Sequence, residues 1–374
     1  MTGLRGADVS FLYTDEQRQI GESARRRLAS SYSAETLKRL LDDPGRCDES
    51  YWRVCQEMGW PAMAIPEDYG GLGLGLIEMT IVAEAAGRVA CGAPYLLTSY
   101  AAAQAILLAG DLSVKAAVVP RLASGEQIGT IAFAEDANPI SLRPTLVFDG
   151  QTITGTKRGV LGGSRADLAV ALAVRDSRLA LVLVDLTGQG VSRGFLDTFD
   201  NSRNMADLTF TNAAALPLDE TDALSTAWSV LDRAAVVLAA EELGGADACM
   251  ELARDYANTR QAFGQPIGKF QAIKHKIAEM YVANQIARAN CLESALRFDR
   301  SLPASTPLAA AARISGICAY DFASRESMQT FGGLGVTWES DLHLHLRRAR
   351  SCASVLGSRF IWEDRLVAAL EAEL

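Results

Sequence analysis

Arg260-Gln261-Ala262-Phe263-Gly264-Gln265-Pro266-Ile267-Gly268-Lys269-Phe270-Gln271-Ala272-Ile273-Lys274-His275-Lys276-Ile277-Ala278-Glu279-Met280 interrupts one long helical pattern and starts another. Gly264, Pro266 and Gly268 fall within five residues. That spacing predicts a helix stopping near Phe263 and a second beginning around Lys269. An arginine, an amide and backbone N–H groups gather at this junction. Such a junction suits an anion, because the helix N-terminus attracts negative charge and a guanidinium grips phosphate through two parallel hydrogen bonds.

The order Arg-x-x-Phe-Gly-x-Pro-Ile-Gly-x-Phe-Gln, ending in Ala278-Glu279-Met280, resembles the signature of the acyl-CoA dehydrogenases. These flavoproteins desaturate acyl-CoA thioesters between Cα and Cβ. A second stretch, Pro66-Glu67-Asp68-Tyr69-Gly70-Gly71, resembles the loop that joins two N-terminal helices in that family. The neighbouring Gly71-Leu72-Gly73-Leu74-Gly75 lacks the G-x-G-x-x-G spacing and a strand–helix–strand setting, so it reads as a connecting loop and not a dinucleotide fingerprint.

At 374 residues the chain predicts two or three subdomains. Hydrophobic residues make up 49% and charged residues 22%, the balance of a globular protein with an ample core. No uninterrupted apolar run reaches the ~18 residues of a membrane span, and no apolar h-region follows Met1. A formal charge of −9 argues against a nucleic-acid surface. The seven cysteines are scattered without a C-x-x-C pair. They read as reduced thiols in a cytoplasmic protein, with neither a disulfide framework nor a zinc site.

The pattern along the chain predicts an α+β protein. Residues 1–124 read as an N-terminal helical domain, with a cap at Thr14, helices to about Tyr32 and over Tyr51–Met58, and three more over Ile77–Val89, Leu96–Leu108 and Ser113–Leu122. Residues 125–220 read as a small β-sandwich or barrel, with strands near Ile128–Ala134, Leu146–Thr154 (a hairpin turning at Asp149-Gly150), Leu168–Val174, Leu179–Leu186 and Leu208–Phe210. Residues 221–374 read as a bundle of long helices, over about 221–259, 270–300, 308–330, 338–353 and 355–372. This α–β–α order matches the resemblance, which spans essentially the whole chain.

The family's reaction needs a base for the α-proton, hydrogen bonds for the enolate and a flavin to accept hydride. The resemblance implies that Arg260, Phe263 and Gln271 contact the pyrophosphate and adenine side of an FAD belonging to a neighbouring subunit. Gln329-Thr330-Phe331-Gly332-Gly333-Leu334-Gly335 matches the family's Gln-x-x-Gly-Gly-x-Gly, which implies cofactor contacts for Gln329, Gly332 and Gly333. The β-domain half departs from the pattern. Where the family has Thr-Glu-Pro-Gly-x-Gly-Ser-Asp, this chain has Ala134-Glu135-Asp136-Ala137-Asn138-Pro139-Ile140-Ser141, and the aromatic that usually follows Gly155-Thr156-Lys157 is missing.

Both family positions for the base lack a carboxylate: Leu356 stands at one and Ala234 at the other, beside Ala235 where an arginine is common. Glu241, seven residues past Ala234 and ~10 Å along the axis, and Asp232 are the fallback candidates. His343 and His345 are two apart and form no i,i+4 metal pair. Arg347, Arg348 and Arg350 read as ion pairs within the bundle or as contacts to CoA phosphate.

These features resemble the non-catalytic partner in heteromeric actinobacterial acyl-CoA dehydrogenases of steroid and side-chain degradation. They imply a heterotetramer with a base-bearing homologous subunit, a shared FAD, an acyl-CoA substrate of β-oxidation type and an electron-transferring flavoprotein as acceptor. A self-sufficient homotetramer using Glu241 or Asp232, and a flavin-free scaffold or acyl-CoA-binding module, are the other two readings.

Overall fold

A computed structural model describes residues 13–372 except 92 and 220. The N-terminal layer holds α1 (Asp15–Ser31), α2 (Ala34–Leu41), α3 (Glu49–Glu57), α4 (Leu76–Arg88), α5 (Tyr95–Ala109) and α6 (Leu112–Ala123). The expected cap is a capping box: the Thr14 hydroxyl accepts from the Gln17 amide, while Gln17 Oε1 accepts from the Thr14 amide. The short helix α2 was not legible from periodicity.

Strands β1 (Gly129–Ala132), β2 (Val147–Phe148), β3 (Thr152–Leu161), β4 (Leu168–Arg175), β5 (Arg178–Asp185), β6 (Val191–Phe195) and β7 (Met205–Asp219) follow. They run in the order β1-β4-β2-β3-β7-β5, and β5 pairs back onto β4, which closes a barrel. The sandwich alternative is thereby settled as a barrel. The β4–β5 hairpin turns through Asp176 and Ser177, both at positive φ, the primed turn that matches strand twist. The expected strand Leu208–Phe210 is part of the first half of a 15-residue strand, whose alternation is hidden by Ala213-Ala214-Ala215 and Pro217. The edge strand β6 was missed because Val191-Ser192-Arg193-Gly194-Phe195 has no buried face.

The bundle comprises α7 (Ala223–Thr259), α8 (Gln271–Asp299), α9 (Ser305–Phe331), α10 (Leu342–Ser354) and α11 (Arg359–Glu371). The junction between α7 and α8 differs from expectation. The helix stops at Thr259, and β8 (Gln261–Ala262) pairs antiparallel with β9 (Gln265–Pro266). Phe263 and Gly264 both take positive φ at its turn. The Gly/Pro cluster therefore builds a hairpin between helices.

Every residue of α7 from Ala234 to Met250 is buried. A helix apolar all round must be enclosed, and α4, α5, α8, α9 and α10 enclose this one. By length and composition Ala223–Thr259 could cross a membrane, yet two-thirds of its most apolar window is buried inside the protein. Helices α4 and α7 touch backbone to backbone. A methyl group on Gly87 would lie 1.9 Å from the Glu241 carbonyl oxygen, and one on Gly244 would lie 1.9 Å from that of Glu84. We expect Gly244→Ala to lower stability by at least about 2 kcal/mol in denaturant unfolding. Gly333→Ala, whose added methyl would meet nothing within 4 Å, should change it by less than about 0.5 kcal/mol.

Candidate functional site

Ala234 on α7 and Leu356 in the turn after α10 line the same cavity, of about 330 Å³. Leu97 and Ala101 of α5, Leu231 of α7 and Val160 and Leu161 of β3 complete an apolar wall. The Leu356 turn is fixed from behind. The Leu356 carbonyl accepts from Trp362 Nε1 at 3.0 Å, and the buried Arg313 guanidinium donates to the carbonyls of Cys352 and Val355. Leu356 sits at positive φ, and Gly357 beside it packs on Pro139. The cavity's one carboxylate is Asp136, an exposed residue that accepts from the Asn138 amide at 2.8 Å and also lines a wider outer cleft.

Neither fallback carboxylate lines this cavity. Glu241 accepts from Arg203 Nη1 at 3.0 and 3.1 Å and from Arg348 Nη1 at 3.3 Å. Arg348 also binds Asp200 at 2.8 Å, so its ion pairs reach the β-domain loop and not only the bundle. Arg350 pairs with Asp321 at 3.0 Å, and Arg347 donates to the Phe199 carbonyl and lies over that ring. Asp232 is held by both Arg365 Nε and Nη2, at 3.0 and 2.7 Å, and by the Thr306 hydroxyl. Burial pushes its carboxyl above the usual range against the pull of Arg365. Ala235 packs with Ala310 and Trp362 in a small apolar cluster.

The altered β-domain loop is compact. Glu135 accepts from the Thr145 amide and hydroxyl at 2.6 and 2.8 Å and from the Leu146 amide at 3.2 Å. The fully buried Lys157 donates to Oε1, the oxygen that also takes the Leu146 amide, at 2.8 Å. That arrangement explains why Glu135 and Lys157 remain while the residues between have changed. Gly159, at φ +59, lines the cavity, and a side chain there would meet nothing within 4 Å.

Arg260, Phe263, Gln271, Gln329, Gly332 and Gly333 are all exposed, Phe263 to 94%. Tyr256 stacks on Phe331 with ring centroids 4.0 Å apart, and Lys276 pairs with Glu326. These contacts bring the α7–α8 junction and the end of α9 to one end of the bundle. Among the described residues nothing ties the side chains of Arg260, Gln271 or Gln329, and no atom of a neighbouring segment lies within 4 Å of where a methyl on Gly332 or Gly333 would sit. This open cradle with a free guanidinium fits a dinucleotide pyrophosphate. Ala234 and Thr259 share one helix, so the cradle and the cavity lie on the order of 38 Å apart along its axis.

Sequence reasoning missed the outer cleft, of about 900 Å³, where Arg143, Arg158 and Trp228 meet. Its residues come from a β-loop, a strand and the first turns of α7, so no local motif announced it.

A family model described as the acyl-CoA dehydrogenase N-terminal domain matches residues 14–126, and one described as the C-terminal domain matches 224–369. The chain is 31% identical over 346 residues to acyl-CoA dehydrogenase IpdE2 of Mycobacterium tuberculosis, covering 92% of this chain and 94% of that one. It is 32% identical to acyl-CoA dehydrogenase FadE34 of the same organism, over 96% of this chain but 48% of that one. Among solved structures, a variant of the Tcur3481-Tcur3483 steroid ACAD superposes with a TM-score of 0.85 at 25% identity, covering 96% of this chain and 98% of that one.

The two histidines face different neighbours. His343 stacks on Trp338 with centroids 4.6 Å apart, whereas buried His345 shares a 2.9 Å hydrogen bond with the Tyr320 hydroxyl. Burial, with Arg348 nearby, lowers His345 to a pKa of about 4. Its neutral form is thus favoured in the fold, while the unfolded chain takes up a proton near pH 6.5. The associated stability is present above pH 6.5 and is lost as pH falls towards 4. Denaturant unfolding of wild type and His345→Gln at pH 7 and pH 4 should show the wild type losing more stability, the difference being on the order of 3 kcal/mol.

Proposed function

Because the chain belongs to the acyl-CoA dehydrogenase family, we propose that it is the base-lacking subunit of a heteromeric acyl-CoA dehydrogenase. The observation that carries this reading is the pairing of Ala234 with Leu356 on one apolar cavity, while Arg260, Gln271, Gln329, Gly332 and Gly333 stay exposed at the other end of the bundle. Abstraction of the α-proton needs a base within hydrogen-bond reach. Glu241 and Asp232 are each committed to arginines outside the cavity.

The separation along α7 supports the second half of the proposal. A cradle on the order of 38 Å from the chain's own cavity serves a flavin whose ring lies in another subunit. FAD would supply hydride acceptance there, with Arg260 gripping its pyrophosphate and Gln271, Gln329 and the Gly332–Gly333 backbone lying along the dinucleotide. In the chain's own β-domain the aromatic that usually follows Gly155-Thr156-Lys157 in the family is missing, and the space beside Gly159 is open.

The partner is a homologue bearing the missing glutamate, the substrate is an acyl-CoA, and the acceptor is an electron-transferring flavoprotein. The designation Tcur3481-Tcur3483 joins two gene products in one steroid ACAD. FadE34 is about twice this chain's matched length, which leaves room for a second unit of the same size. Both fit a paired arrangement and a steroid-type acyl group.

Purified alone, the chain should be colourless; co-expressed with its base-bearing homologue it should give a yellow complex that desaturates acyl-CoA. Arg260→Ala in this chain should lower the flavin content of that complex at least tenfold with the subunits still associated. A stably yellow homo-oligomer that turns over acyl-CoA by itself would sink the proposal.

A further inference from the structure

The apolar cavity continues inward. Val237 and Glu241, about one and two turns of α7 beyond Ala234, line a second cavity of about 20 Å³ together with Leu97, Tyr51, Cys91 and Arg203. Leu97 lines both spaces and is the wall between them. A volume of that size accommodates one oxygen-sized group.

Arg203 is 1% exposed. Its Nη1 is committed to Glu241, but Nε and Nη2 have no hydrogen-bond partner among the described residues, and neither has Oδ1 of the adjacent Asn204. Each buried polar atom left unmatched costs about 1–3 kcal/mol. A guanidinium held this way calls for an acceptor.

The charges say which acceptor. Arg203 and Arg348 are balanced by Glu241 and Asp200, all four buried. A carboxylate arriving here would add an uncompensated buried negative charge, which is costly. A neutral carbonyl or hydroxyl oxygen accepts the same hydrogen bonds without that penalty. Ala234 and Glu241 are seven residues apart, or about 10 Å along the helix.

We infer that this chain's own cavity binds an acyl group carrying a carbonyl or hydroxyl oxygen at its far end, with Arg203 as donor and Leu97 as the displaceable wall. The thioester end lies by Ala234 and Leu356, and the distal oxygen occupies the inner space. The inference concerns the chain's own cavity and holds whether or not a base is present.

The test is calorimetric titration of the full chain with three CoA thioesters of equal length. One ends in a ketone, one in a methylene at the same position and one in a carboxylate. The ketone ester should bind about tenfold more tightly than the methylene ester, and the carboxylate ester no more tightly than the methylene one. Arg203→Lys keeps a positive charge beside Glu241 but removes the spare guanidinium donors, so it should abolish the preference for the ketone ester over the methylene ester. If that variant does not fold, Leu97→Ala provides the second reading, because a widened passage should increase the preference for the ketone. Equal binding of the esters, a preference indifferent to both variants, or no binding of any ester overturns the inference and leaves the inner space as the seat of a structural water only. None of these readouts involves flavin, so they are separate from the colour of the two-subunit complex.

Discussion

The structure depends on one constraint, the burial of α7 on every side. From Ala234 to Met250 every residue is buried, so each neighbour must bring either apolar surface or a matched partner for a polar group. Small residues meet the first demand: at Gly87 and Gly244 the backbones of α4 and α7 touch. Arginines meet the second. Arg203 and Arg348 answer Glu241, Arg313 answers Glu242, and Arg288 answers Asp247. These arginines come from the β-domain loop, α10, α9 and α8, so the charges on one helix bind the β-domain to the bundle.

The same constraint assigns roles along the helix. Glu241, Glu242 and Asp247 on α7 are each paired with buried arginines, and releasing Glu241 would leave Arg203 without its carboxylate partner while Arg348 kept Asp200. Breaking such a buried pair costs about 3–5 kcal/mol. Ala234, by contrast, borders the cavity with nothing to titrate. One rigid element thus borders an apolar pocket near its start and leads into an exposed junction at its end.

Much of this was legible in the sequence because its signals are local. The Arg260–Met280 signature, the Gln329–Gly335 glycines and the α–β–α order depend on residues close in the chain. The hairpin at Phe263–Gly264 was read as a plain helix break because a primed turn with phenylalanine at positive φ is rare for a bulky side chain. Tertiary facts stayed hidden. Nothing near Glu241 reveals that Arg203 and Arg348 hold it, and nothing near Glu135 announces Lys157 as its buried partner. Length was hidden too in β7, where alanines and Pro217 mask a strand that pairs in turn with β3, β5 and β6.

The altered β-loop shows how a changed sequence can keep its order. Glu135 takes two amides, a hydroxyl and the Lys157 ammonium, so the loop is tied at its base whatever occupies its tip. Pro139 at that tip packs against Gly357, one residue from Leu356. The two segments that diverge from the family pattern therefore touch, and each is braced from behind: the loop by Lys157, the turn by Arg313 and Trp362. Bracing of this kind fixes the outline of the pocket independently of the residues at the loop's tip, so the surface against which a ligand would pack is set by buried ion pairs and hydrogen bonds behind the lining and not by the lining alone.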